Sequence, residues 1–585
     1  MRPCSHTRRG PTNGRGCDPT SRATDALRGR DRVRTGKGFP PGCGRPPPAR
    51  PDGIATDRRC SLHPPGAAGC GRLGVVDGSP VRRHLPGWLG AVWLWPTLAT
   101  LAVTGAGIGS AQPWRDELAT WSAATRPLGD LARMAGTIDA ATWPYYLFMH
   151  GWVALCGDSP AALRTPSALA TAGTAGLAAA LGARLFGRQA GLAGGLLFAS
   201  LPGTSRYAQE ARPYAFVALF AVLATLLLVR ALDRPGWRRW AGYAAVVAAL
   251  GLAHLVALTL LAAHAAAVLA TQRTGDTDPP ASGAAGPATP RTGDQAGRHR
   301  PAGRRPRRAL WAWPLALLPA AVALTPLVLL AAGQRGRQLD WVDQARLADL
   351  TALPGALAQS GAVGGLLLGL AALGAARSGR VGLLPAACLA LPVTLLFLAG
   401  LAVPLWVPRY LFFAVPFACL LAGAALATVA LPGALAVVLV TGLLGLPDQI
   451  GLRRSHEWPR GALVDYRGAA RVVDEGRRPG DVIVFSPRDG WLFLDVGIGY
   501  HLGDQQPRDA LAVRNRDARG DYWADECPDP VPCLAGARRV WLVVAGRRSD
   551  PVDAVPGAKG AVLRDGFVVE RVWPRPGVTV ALLTR

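Results

Sequence analysis

Two carboxylates stand side by side in Gln112-Pro-Trp-Arg-Asp116-Glu117-Leu118, a few residues beyond an apolar run. Adjacent acids in such a place suit a general base with a supporting acid; they equally suit solvated loop charges or the N-cap of a following helix. Other polar groups recur where apolar runs begin or end. Arg164 lies in Leu163-Arg-Thr-Pro-Ser-Ala168. Tyr207, Glu210 and Arg212 lie in Arg206-Tyr-Ala-Gln-Glu-Ala-Arg-Pro-Tyr214, and Arg409 and Tyr410 follow Pro404-Leu-Trp-Val-Pro408. The segment from Thr137 to Leu155 holds Tyr145, Tyr146 and His150, with Pro144 suited to a helical first turn. Tyr145, Met149 and Trp152 would share an apolar face with His150 beside it, which reads as an amphipathic helix on a membrane surface; a plain interfacial aromatic belt has the same composition. If these groups meet at one level, the guanidiniums can grip a phosphate and a carboxylate beside them can take a proton from a hydroxyl.

What must position them is a membrane domain. Of 585 residues, 50% are hydrophobic and only 17% are charged, against about 25% charged in ordinary soluble domains. Eleven apolar runs, at roughly 86–108, 162–183, 189–205, 213–230, 239–254, 255–271, 309–332, 360–376, 381–403, 410–428 and 431–447, come close to the ~20 residues a spanning helix needs. Residues 239–271 read as two short helices turning near His254 or as one long tilted helix. With the N-terminus cytoplasmic, the basic connections 184–188, 230–239, the stretch to Arg308 and 377–380 fall inside, and the C-terminus falls outside. The runs are almost free of charge, and 410–447 carries none. An ionisable group at a bilayer centre costs about 2.5–3.5 kcal/mol and marks a transport path. Its absence disfavours a lipid or polysaccharide transporter, and the charges gathered at one level disfavour a non-catalytic scaffold.

The formal net charge of +26 is unevenly spread. Residues 1–84 carry 17 basic and 6 acidic residues, and 271–309 carry 8 and 3, so these two stretches supply +16. Both are rich in Gly, Pro, Ser or Thr and are expected to be disordered, the second as a cytoplasmic linker. Neither interleaves aromatics with its arginines, so a nucleic-acid partner is not expected. The arm has no signal-peptide core, and translation starting near Val75 or Val76 would remove most of it. After residue 450 the composition shifts. A helix over 465–478, a turn at Pro479-Gly480-Asp481, strands at 482–485 and 540–544 and a hairpin over 567–583 predict a small extracytoplasmic α/β domain. There, Cys527-Pro-Asp-Pro-Val-Pro-Cys533 suits a disulfide in an oxidising compartment. No HExxH, DxD or Cys/His cluster occurs in the outside loops, and Gly105–Gly109 lies within a span, so no metal, nucleotide or other cofactor is expected.

In order along the chain, Asp-Glu after the first run, Pro-Tyr-Tyr with His150, Leu-Arg-x-Pro-Ser-Ala, Tyr-x-Gln-Glu-Ala-Arg-Pro-Tyr and Pro-Arg-Tyr resemble the GT-C glycosyltransferases. The resemblance is strongest to the bacterial, family-39-like branch related to protein O-mannosyltransferases and to the lipid A aminoarabinose transferase. It covers about 86–450, and Gln-Glu-Ala-Arg-Pro-Tyr is its most specific element. Actinobacterial-type mannosyltransferases of this kind also carry a C-terminal domain opening on Asp-Tyr-Arg-Gly-Ala-Ala, matching Asp465–Ala470. The resemblance implies a polytopic α-helical membrane protein of about eleven spans over 85–450, with an extracytoplasmic α/β domain over 451–585. It implies a polyprenyl-monophosphate sugar donor, with mannose the family default, and a glycan, glycolipid or protein acceptor at the outer face of the cytoplasmic membrane. Asp116 would match the catalytic base of an inverting transfer, with Glu117 assisting. Arg164, Glu210, Arg212, Arg409 and Tyr410 would bind the donor or its phosphate, and Tyr145, Tyr146, His150 and Tyr207 would position substrates. Ala141-Thr-Trp-Pro144 stands where many relatives carry His-Pro-Pro, a departure at the acceptor contacts.

Overall fold

The computed structural model describes residues 91–273, 305–457 and 463–585. The basic arm and residues 274–304 of the expected linker lie outside the described residues. The ends of that linker need correction. Residues 271–273 close the helix Leu260–Arg273 and residues 305–309 open the helix Arg305–Gln338. Arginine and alanine are good helix formers, so the apolar helices run on into their polar flanks.

The described residues of each of the eleven apolar runs fall mostly on a helix or a pair of helices. Among the described residues, five helices are long and apolar enough to cross a bilayer, and the number rises to seven if two bent pairs each count as one span. Residues 239–271 resolve into two short helices, Trp237–Ala253 and Leu260–Arg273, because His254 takes an extended conformation between them and a 3-10 turn follows. The helices Pro160–Phe186, Arg188–Ser200 and Val415–Leu426 pack backbone to backbone. A Cβ on Gly191 would lie 2.3 Å from the Ala179 carbonyl oxygen, and one on Gly423 would lie 2.3 Å from that of Ala190. Small residues supply this close approach where lipid offers no hydrophobic drive to association.

The C-terminal part is α/β. Its strands are β1 (Val482–Ser486), β2 (Arg508–Asp509), β3 (Ala512–Arg514), β4 (Asp525–Glu526), β5 (Arg539–Ala545), β6 (Val568–Arg575) and β7 (Val578–Thr584). Five form a sheet in the order β2-β1-β5-β7-β6, with β2, β1 and β5 parallel and β7 and β6 antiparallel; β3 and β4 pair separately. The expected helix is Tyr466–Gly476, capped by the Asp465 carboxylate, which accepts the Gly468 N–H at 2.8 Å. β1, β5 and β7 are apolar along most of their length because both faces of the sheet are covered. Val482, Val484, Val540 and Leu542 face one cluster with Leu563. Ile483, Phe485, Trp541 and Val543 face another, which also contains Leu118, Leu131, Tyr146 and Met149. Alternation along the strands thus sends one set of side chains into a core shared with the helices around Asp116. That shared core seats the sheet over the acids.

Candidate active site

Asp116 and Glu117 open the helix Arg115–Ala124, yet neighbouring positions on a helix point about 100° apart and the two acids have different surroundings. Glu117 points inward. Its oxygens accept Nε of Arg164 at 2.8 Å and Nη2 at 2.6 Å, and both side chains are about 1% exposed. It also accepts the N–H of Ala211 at 3.0 Å and that of Trp114 at 3.3 Å, the second being an N-terminal cap. Arg164 spends its remaining donors on the carbonyls of Ile108, Ala111 and Gln112. All five of its N–H groups are therefore engaged, and none is left for a phosphate. Glu117 and Arg164, expected to assist the chemistry and to bind the donor, tie two helices together in this structure. Burial alone would raise the Glu117 carboxyl; the Arg164 guanidinium outweighs it and holds the group well below the ordinary glutamate range.

Asp116 points the other way, into a cavity with about 780 Å³ of atom-free space, open to solvent. Arg212, Arg409 and Tyr410 line the same cavity. Nη2 of Arg409 lies 3.4 Å from Oδ2 of Asp116, and its Nε donates to the Tyr214 hydroxyl at 3.1 Å. Its guanidinium also lies 5.1 Å from the centre of the Trp341 ring, a cation–π contact. Burial would raise Asp116, but Arg409, Arg212 and Arg115 together hold it below its ordinary value, so it is ionised at neutral pH. The charged lining is three arginines (115, 212, 409) against two aspartates (116, 139), an excess of one positive charge. Such a site attracts an anion.

Arg409 also lines a second, smaller cavity with Arg206, Tyr207 and Glu210. Arg206 lies 3.2 Å from Glu210, and neither oxygen of that carboxylate has a hydrogen-bond donor. Burial therefore dominates, and it pushes Glu210 up to about 7 despite the pairing. Glu210 and Tyr207 stand next to the Asp116 cavity, not in it.

The aromatic helix is Trp143–Cys156, with Tyr145, Tyr146 and Met149 buried. Tyr146 reaches the site through its hydroxyl, which accepts Nη1 of Arg212 at 2.9 Å. Tyr145 is packed against Tyr146 and Phe216 and lines neither cavity. His150 also lines neither: its Nδ1 sits 2.9 Å from the Ala124 carbonyl, which fixes the ring to the helix that carries Asp116. Tyr145 and His150, expected to position substrate, make packing and backbone contacts here. Cys527 and Cys533 are joined as a disulfide, with Cα atoms 6.7 Å apart.

Several lining groups escaped the sequence reading. Asp139 lies within the segment that was singled out for its aromatics. It holds a left-handed backbone (φ 56°), and its carboxylate accepts the hydroxyls of Thr142 at 2.8 Å, Tyr522 at 2.7 Å and Tyr146, and the amide of Gln338. An aspartate three residues before a threonine was the available signal. Trp491, Phe493 and Tyr522 come from the α/β part and close one side of the cavity; nothing local in the sequence marks them. His456 lies 3.8 Å from Glu117, and Glu457 lies 4.0 Å from Arg115, its carboxyl pushed up to about 7 mainly by burial. Among the described residues no group of three or more His, Cys, Asp or Glu side chains is placed to hold a metal ion.

A family model described as dolichyl-phosphate-mannose-protein mannosyltransferase matches residues 143–277. Two solved structures of ArnT from Cupriavidus metallidurans are similar in fold. The apo form superposes with a TM-score of 0.52 and the form bound to undecaprenyl phosphate with 0.54. Each is 12% identical, and each alignment covers 85% of this chain and 98% of the other. The Archaeoglobus fulgidus oligosaccharyltransferase, in complex with Zn and sulfate, aligns with a TM-score of 0.45 at 12% identity over 78% of this chain and 68% of that one. No curated protein matches the chain at a significant level.

Proposed function

We propose, from the GT-C fold of this chain, that it is a membrane glycosyltransferase that moves a sugar from a polyprenyl-monophosphate donor to an acceptor hydroxyl. The observation that carries the reading is the Asp116 cavity, where an ionised carboxylate stands 3.4 Å from an arginine in a site with excess positive charge. Asp116 takes the proton of the acceptor hydroxyl as that oxygen forms a bond to the anomeric carbon. The bond from that carbon to the phosphate oxygen breaks, and its electron pair leaves with the lipid phosphate. Arg409 and Arg212 balance the charge that develops there. Attack opposite the departing phosphate inverts the anomeric configuration. Tyr146 orients Arg212 and Tyr214 orients Arg409, so the two cations are fixed before substrate arrives. Bound undecaprenyl phosphate in one ArnT structure supports the donor class. The description of the matching family supports mannose as the sugar. The arginine asymmetry of the loops supports a reaction at the outer face of the cytoplasmic membrane, with the N-terminus inside and the α/β part outside.

The test is Asp116→Asn in membranes supplied with radiolabelled polyprenyl-phosphate sugars. Transfer should fall by about 10²-fold or more, the worth of a general base. A variant that transfers as well as the parent would remove Asp116 from the mechanism, and a parent that uses no lipid-linked sugar would remove the donor class.

A further inference from the structure

A third cleft lies in the α/β part. It opens at the carboxyl end of β1, where Ser486 gives way to Pro487 and Arg488, and holds about 1080 Å³ of atom-free space, open to solvent. Parallel strands in α/β sheets commonly present ligands beyond their carboxyl ends. Two tryptophans supply the apolar surface. Trp523 is buried and fixed, stacked 6.0 Å from Phe493, with its Nε1 donating to the Gly490 carbonyl at 3.3 Å. Trp491 is half-buried, stands edge-on to Trp523 at 5.0 Å and keeps part of its ring open. Trp491 also lines the Asp116 cavity, so a single side chain is the common wall of the two spaces.

The charges decide what this cleft can hold. Four cationic and four acidic side chains line it. The cations are already committed. Lys559 donates to Glu526 at 2.8 Å, Arg488 to Glu526 at 2.8 Å, and Arg519 lies 3.0 Å from Asp525. Arg337 pairs with Asp521 at 2.5 Å. A phosphate or a polyanion therefore meets no excess positive charge here, unlike in the Asp116 cavity. An open indole face among carboxylates and cationic groups in equal number suits a neutral, polyhydroxylated ligand: the C–H face of a sugar ring lies on the tryptophan, and the hydroxyls exchange hydrogen bonds with the charged side chains. We propose that the cleft is a subsite for a neutral oligosaccharide acceptor, whose chain crosses Trp491 so that its terminal hydroxyl reaches Asp116. The word acceptor rests on the glycosyltransferase reading; binding of the saccharide does not.

The experiment is calorimetric titration of the purified full chain in detergent, without donor. The probes are neutral tetrasaccharides of mannose, glucose and arabinose, each beside its monosaccharide. At least one tetrasaccharide binds, and more tightly than its monosaccharide. Trp491→Ala weakens that binding about tenfold, and Trp491→Phe restores most of it. Asp489→Ala, on the exposed rim, weakens it as well and carries the test if Trp491→Ala does not fold. The inference is overturned if no tetrasaccharide binds, if the Trp491 and Asp489 variants bind as the parent does, or if a serine-rich peptide or a phosphorylated glycan binds in preference. Undecaprenyl phosphate, titrated into the same preparation, separates the two readings. Lipid-phosphate binding without saccharide binding sinks the cleft and leaves the transferase standing. Saccharide binding without lipid-phosphate binding supports the cleft and counts against the donor.

Discussion

Glu117→Gln removes one charge from a pair whose two members are each about 1% exposed. The Arg164 guanidinium would then sit buried with carbonyl partners only. An amide also presents N–H groups where the carboxylate now accepts from Trp114 and Ala211. Removing one partner of a buried ion pair costs about 3–5 kcal/mol, because the remaining charge has no compensation. At about 2 °C per kcal/mol, the lower end of the range for large domains, the midpoint of thermal unfolding should fall by about 6–10 °C. The assay is thermal unfolding in detergent followed by tryptophan fluorescence. Transfer is measured well below both midpoints and scaled to the folded fraction. Scaled in that way, activity should be largely kept, because Glu117 does not touch the cavity. The pH dependence has a definite sign. The folded pKa of Glu117 lies below its ordinary 4.5, so its contribution is complete above that value and is lost as pH falls below it. The penalty of Glu117→Gln should therefore shrink on acidification. A variant that unfolds within about 1 °C of the parent yet transfers no sugar would refute this reasoning and return Glu117 to the chemistry.

Two further outcomes follow from the buried acids. Burial pushes Glu210 up to about 7, above its ordinary 4.5, so the folded state holds its proton more tightly and stability falls as pH rises through that window; Glu210→Gln should flatten the decline in unfolding temperature between pH 5 and pH 8, and an unchanged slope would count against the burial of an uncompensated carboxyl. Asp139→Ala strands the hydroxyl donors of Tyr146, Tyr522 and Thr142 and places alanine at φ 56°, which should cost about 3 kcal/mol or more in thermal unfolding, with Asp139→Asn milder because asparagine tolerates that backbone.

Some of this was legible in the sequence, and the reason differs by element. The apolar runs were legible because a bilayer-crossing helix has to be apolar along its whole length, and the described residues of each run fall mostly on helix. The strands at Val482 and Val540 were legible because strands covered on both faces are uninterrupted apolar runs between turn residues. Asp116, Arg212, Arg409 and Tyr410 were picked out one by one, each at the end of an apolar run, and the structure gathers them at one cavity. The division of labour between Asp116 and Glu117 was not legible, because adjacent letters do not say which one faces inward; that depends on Arg164, 47 residues away. Trp491, Phe493 and Tyr522 were not legible for the same reason. They reach the cavity through a sheet docked by residues such as Trp541 and Leu118, which share one core across more than 400 positions of sequence.

The low pKa of Asp116 is the one feature that sits awkwardly with a base, since a base works best when its pKa lies near the working pH. The geometry offers a resolution. Asp116 is held low mainly by Arg409, a guanidinium that is also the nearest candidate to hold the donor phosphate. A sugar phosphodiester carries one negative charge, which matches the excess of one positive charge in the cavity. As its bond to the anomeric carbon breaks, more charge collects on the phosphate, and Arg409 is drawn from the carboxylate toward it. In the proposed transfer, Asp116 then loses its strongest stabiliser at the moment it accepts the proton. On this account the pKa of Asp116 is higher in the donor complex than in the free protein. The acid limb of kcat/KM reports the free protein and that of kcat the complex, so the limb in kcat should lie at the higher pH. Arg409→Lys should narrow the gap, because a lysine cannot keep the fork that now reaches both Asp116 and the Tyr214 hydroxyl. Coincident acid limbs in the parent would mean that Arg409 stays with Asp116 throughout, and the low pKa would then argue against Asp116 as the base.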